Sequence, residues 1–109
     1  MEKKFEIFFF EVGSRKPPER FLHSLPEKTI AKTLRIIDLL EIYGPLVGMP
    51  YVQKIEPEIY ELRITGRENV RFLFTVREKS IVILHGFKKK RQKLPREEIK
   101  AAQNRLTRI

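Results

Sequence analysis

The sequence predicts an α+β fold: an antiparallel sheet with helices packed on one face, in the order β-α-α-β-β-β-α. Residues 59–65 and 69–77 alternate apolar and polar side chains at the period of two that a half-buried strand shows, and 80–87 opens on the apolar run Ile81–Leu84. Ile30, Leu34, Ile37 and Leu40 instead recur at helical spacing. No repeat, low-complexity tract or linker interrupts the 109 residues, so a single domain over residues 1–109 is expected.

Each element has a local signal. Lys4–Glu11 holds four phenylalanines and Ile7 and reads as a strand, ended by Gly13 and the Pro17-Pro18 pair. Pro18–His23 reads as a short helix. Ser24-Leu25-Pro26-Glu27 then has the capping-box form, with Ser24 as the cap of a second helix. That helix runs to Tyr43, where Gly44-Pro45 stops it. Residues 44–58 are expected to form an irregular connection. Turns at Thr65-Gly66-Arg67-Glu68 and Glu78-Lys79 fold the next three strands into an antiparallel meander. Pro95 opens a last helix with Ile99, Ala102, Leu106 and Ile109 on one side.

Strand phase fixes which side chains share a face. The apolar sets of residues 59–65 and 69–77 must meet the same core, since a slip of one residue would turn one set outward. Leu62 then lies opposite Phe72, Ile64 opposite Val70, and Arg63 opposite Arg71 on the far face. Two arginines in that relation repel by a few tenths of a kcal/mol to about 1 kcal/mol. Glu61, on the same face, can offset this. A bound phosphate gripped by charge-assisted hydrogen bonds would do so better. A two-residue loop at Glu78-Lys79 pairs Phe74 with Ile83 and Phe72 with His85 on the core side. It puts Gly86 opposite Arg71, leaving backbone open to a ligand, and Lys88 follows in phase.

Composition narrows the chemistry. The chain has no cysteine and two histidines, His23 and His85, which argues against a disulfide, a thiolate metal site or a protein-only zinc site. No stretch approaches the roughly 20 apolar residues of a membrane span. Glu6 and Glu11 break the apolar start, which therefore reads as a strand and not as a signal peptide. A cytoplasmic protein is expected. The net charge is +9, and residues 85–109 hold nine Lys/Arg against Glu97 and Glu98. Five of the six residues from Lys88 to Lys93 are cationic, and the apolar strand Ile81–Leu84 runs into them through His85-Gly86-Phe87. Cations held by a buried strand have a defined position, which points to a polyanionic partner, RNA phosphate foremost.

Taken together, Ile59-Tyr60-Glu61-Leu62-Arg63-Ile64, Val70-Arg71-Phe72, and His85-Gly86-Phe87-Lys88-Lys89 with Pro95 resemble the RelE/ParE toxin superfamily. Gly44-Pro45-Leu46-Val47-Gly48-Met49-Pro50 is similar to its phage-derived, HigB-type branch, and the resemblance runs from about Phe5 to Leu106. It implies a RelE-like fold and the toxin of a type II toxin–antitoxin pair. Such a toxin enters the ribosomal A site and cuts mRNA, and a HigA-type helix-turn-helix antitoxin is its cognate partner. Operator DNA would be met only through that antitoxin, and no membrane is involved. By position, Arg71 matches the family's strand arginine at the scissile phosphate, and Arg63 and Lys88–Arg91 match other cationic positions more loosely.

The residue types suit metal-independent, cofactor-free cleavage by the RNA 2′-OH. That step needs a base, cations for the phosphorane charge, and an acid for the 5′-oxygen. Free lysine, with a pKa near 10.4, is a poor base, but packing cations together lowers it. Lys89 or Lys90 is the expected base, with Arg71 and Arg63 stabilising the transition state. Lys54, Lys88, Arg91, Gln92 and Lys93 are expected to hold RNA backbone. The chain departs from many relatives in having no tyrosine after Tyr60 and no histidine after His85. A ParE-like inhibitor of DNA gyrase without chemistry of its own, and an inactive RNA-binding module, are therefore the competing readings.

Overall fold

The computed structural model describes residues 2–109. The chain runs β1 (Glu6–Phe9), α1 (Pro17–His23), α2 (Glu27–Tyr43), a 3-10 turn (Gly44–Val47), β2 (Val52–Glu56), β3 (Ile59–Ile64), β4 (Val70–Arg77), β5 (Ser80–Lys88) and α3 (Arg96–Leu106). The five strands form one sheet in the order β1-β5-β4-β3-β2. The α+β class holds. The sheet is mixed, however: β1 joins β5 in parallel, while all other pairs are antiparallel.

The helices divide between the two faces instead of sharing one. Leu22 and Leu25, with Ile36, Ile37 and Leu40 of α2, pack on Leu62, Val70, Phe72 and Phe74. Ala102 and Leu106 of α3 pack in a second core of Phe10, Ile59, Leu73, Leu84 and Phe87. The signal was in the intervening phase of the strands, where Leu73 and Leu84 are apolar as well; Phe87 reaches this face through a bulge in β5. Every residue of β4 from Val70 to Thr75 is buried, the mark of a strand covered on both sides. Each fully buried phenylalanine here contributes about 1.5–3 kcal/mol relative to exposure.

Three local expectations change. Val52–Glu56, placed in an irregular connection by the sequence, is an edge strand pairing Val52 with Leu62 and Gln53 with Glu61. The Ser24 hydroxyl donates to the Phe21 carbonyl at 2.6 Å, closing α1; it does not cap α2, whose N-cap is Pro26. On α2 Leu34 is exposed, and Thr33 takes the core position with its hydroxyl bonded to the Thr29 carbonyl at 2.8 Å. That bond satisfies the hydroxyl within its own helix and makes its burial tolerable.

The β3–β4 register is the expected one: Leu62 pairs with Phe72, Ile64 with Val70 and Arg63 with Arg71. The β4–β5 register starts as expected, with Phe74 opposite Ile83, then shifts between Leu73 and Phe74. Leu84 is the extra residue of a β-bulge, which advances everything after it by one position. His85 consequently faces Leu73 on the α3 side, not Phe72. Gly86 faces Phe72, and Phe87 faces Arg71. Gly86 is thus no opening for a ligand beside Arg71. A Cβ there would stand 2.5 Å from the Phe21 ring and 2.8 Å from the Phe72 ring, so glycine lets α1 cross the sheet.

Candidate functional site

Strand pairing sets Glu61, Arg63 and Arg71 side by side on the α3 face, beyond the end of that helix's apolar cover. Arg71 is 3% exposed and Glu61 5%. Glu61 Oε2 lies 3.4 Å from Arg71 Nε, and Glu61 Oε1 lies 3.8 Å from Arg63 Nε. Arg71 Nη1 also donates to the Val70 carbonyl at 3.0 Å. One carboxylate therefore serves two guanidiniums, and the Nε atoms of both arginines lack an aligned hydrogen-bond acceptor. Burial pushes the Arg71 pKa below the ordinary arginine value, Glu61 opposes this, and Arg63 adds to it. The group remains a cation, as arginine does in proteins.

The segment after β5 folds over this floor. The Lys89 amide donates to the Asn69 carbonyl at 2.7 Å, fixing where the segment leaves the sheet. Asn69, Arg71, Lys89, Lys90, Arg91 and Gln92 then line an open depression of about 260 Å³. Every charged group lining it is cationic. A buried guanidinium with an unmatched donor below, and three cations above of which Lys90 and Arg91 are exposed, suits an oxyanion such as a phosphodiester.

Not all the expected residues converge here. Arg71, Lys89, Lys90, Arg91 and Gln92 do, and Arg63 adjoins them through Glu61. Lys88 points to the other side and pairs with Glu68 at 3.3 Å. Lys54 lies opposite Tyr60 on the α2 face, its ammonium 5.9 Å from that ring's centre. Lys93 is exposed and outside the depression. Asn69 is the lining residue that sequence reasoning missed; its signal was its position just before β4, opposite the start of the cationic run.

His85 serves elsewhere. Its Nε2 lies 2.7 Å from Glu98 Oε1 on α3, and its Nδ1 lies 3.4 Å from Arg105 Nη1. A guanidinium only donates, so with the ring neutral Nδ1 accepts and Nε2–H donates to Glu98. Arg105 also donates to the Leu84 carbonyl at 2.7 Å and stands over the Phe10 ring. Burial lowers the Arg105 pKa, and nearby Arg108 lowers it further. Both ring nitrogens are occupied, and the cluster ties α3 to β5.

Among the described residues no helix is long and apolar enough to cross a membrane. No group of three or more His, Cys, Asp or Glu among them is placed to hold a metal ion. No curated protein sequence matches the chain. The family model described as phage-derived protein Gp49-like matches residues 20–107, from within α1 to the end of α3. The chain therefore belongs to the phage-derived Gp49-like family, a family of RelE/HigB-like toxins.

Proposed function

We propose that this chain is the toxin of a toxin–antitoxin pair and cleaves mRNA on the ribosome, with a HigA-type helix-turn-helix protein as its antitoxin. The observation that carries the reading is the convergence of buried Arg71 with Lys89, Lys90 and Arg91 around one depression. In the proposed reaction the RNA 2′-oxygen attacks the adjacent phosphorus while the bond to the 5′-oxygen breaks. Lys89 or Lys90 takes the 2′-OH proton, and the neighbouring ammonium protonates the departing oxygen. Arg71 and Arg63 stabilise the charge that grows on the phosphorane. Arg91 and Gln92 position the RNA backbone.

One observation favours a second reading. Among the described residues no histidine, tyrosine or carboxylate lines the depression, so binding without chemistry, to gyrase or to RNA, accounts for the same cations. The test is expression from a tightly repressed promoter with mapping of RNA 5′ ends, using Lys89→Ala/Lys90→Ala as the control. New ends inside translated mRNAs, absent in the control, support cleavage. Growth arrest with intact mRNA supports the binding reading.

A further inference from the structure

Among the described residues, most large apolar side chains left exposed gather in one place. Leu46 is 89% exposed and Met49 60%, with Leu39, Tyr43 and Tyr51 beside them. Leu39 and Tyr43 are one turn apart on the outer side of α2. Leu46 and Met49 belong to the connection into β2. Together with Val47 they line a furrow of about 300 Å³, and a second hollow of about 270 Å³ continues it through Leu39 and Tyr51 to Lys32 and Arg35.

The furrow is pre-formed. Gly44 and Gly48 both take left-handed φ angles, +57° and +67°, which side-chain-bearing residues rarely adopt. A Cβ on Gly44 would lie 2.6 Å from the Phe5 ring. The Gly48 carbonyl accepts from the Tyr51 and Val52 amides, at 3.1 and 2.9 Å, which pins the connection to the start of β2. Leu46 is thus held outward by a fixed backbone. A contiguous, rigid apolar patch of this kind marks an interaction surface.

Charge selects the occupant. Among the described residues, Lys32 and Arg35 are the only charged groups lining the furrow and its continuation. The Lys32 ammonium donates to the Thr65 carbonyl, whereas Arg35 has no carboxylate partner among the described residues. A second copy would bring a chain of net charge +9 against that cationic end. We propose that this furrow seats an amphipathic helical segment of a different chain, apolar along its middle and carboxylate-bearing at the Arg35 end. Identifying that chain as the antitoxin rests on the toxin reading; the docking geometry does not. Because α2 covers the sheet face opposite Arg71, the docked partner leaves the cationic depression open.

The test places a photocrosslinking phenylalanine derivative at position 46 or 49 of the full chain, expressed with its neighbouring genes, and at position 79 as a control. Crosslinks from 46 and 49, but not 79, to one peptide with apolar residues at helical spacing and Asp or Glu at one end are expected. Leu46→Asp/Met49→Asp should then weaken that partner's binding at least tenfold and leave the affinity for a short single-stranded RNA within twofold. Self-crosslinks, no crosslink above the control, a basic partner peptide, or joint loss of RNA binding would each overturn the proposal. Absence of growth arrest by the unmodified chain would reject the toxin reading and leave the crosslinks fully interpretable.

Discussion

Replacing Arg71 with alanine removes one member of a buried three-charge cluster. Breaking a buried ion pair from one side costs about 3–5 kcal/mol, because the remaining charge is stranded. Glu61 would keep Arg63, 3.8 Å away, so the lower end of that range applies, about 3 kcal/mol. For a domain of this size that corresponds to a fall in Tm of roughly 10–20 °C. Glu61→Gln leaves two arginines facing each other without their carboxylate and should cost about 2 kcal/mol. In Arg71→Ala/Glu61→Gln no carboxylate is stranded, so the double variant should cost about 1–2 kcal/mol less than the sum of the singles. Urea denaturation followed by circular dichroism measures all three. Additivity within about 0.5 kcal/mol, or an Arg71→Ala cost below about 1 kcal/mol, would refute the buried coupling.

The other structural assignments have their own tests. Gly86→Ala forces a Cβ against Phe21 and Phe72, on the sheet face opposite Arg71, and should destabilise by about 1–3 kcal/mol in the same denaturation assay. Arg105→Ala loses the bond to the Leu84 carbonyl and the contact over Phe10. It should cost about 1–3 kcal/mol and accelerate amide exchange in α3 before the rest of the molecule. Lys90→Ala and Arg91→Ala should leave stability within about 0.5 kcal/mol. Each should weaken single-stranded RNA binding and reduce the slope of log affinity against log salt by about 0.7, the loss of one phosphate contact. A variant at exposed Lys93, outside the depression, should change that slope less.

The pairing of Arg63 with Arg71 was legible because parity leaves no choice: both apolar phases must reach one core. The placement of His85 was not, since a single inserted residue at Leu84 reverses every side chain after it, and a bulge has no fixed sequence mark. The second core was legible in principle. Leu73 and Leu84 stand in the phase read as polar, and Phe87 joins them only through the bulge. β2 was hidden because Val52–Glu56 is short and sits between Pro50 and Pro57, which read as breakers. The cationic run was plain in the sequence. Which of its members turn toward Arg71 depended on the path of the chain after Phe87, which strand periodicity does not reach. The place of Lys54 was hidden for a related reason: without β2 its face could not be assigned.

The most direct measurement is the end chemistry of RNA produced by the purified protein acting on ribosomes paused on a defined mRNA. Attack by the 2′-OH leaves a 5′-hydroxyl on the downstream fragment and a 2′,3′-cyclic phosphate on the upstream one. Both ends are expected with the wild-type chain, and neither with Lys89→Ala/Lys90→Ala. A 5′-phosphate, or fragments undiminished in that variant, would contradict the assignment of the cationic depression as the site of cleavage.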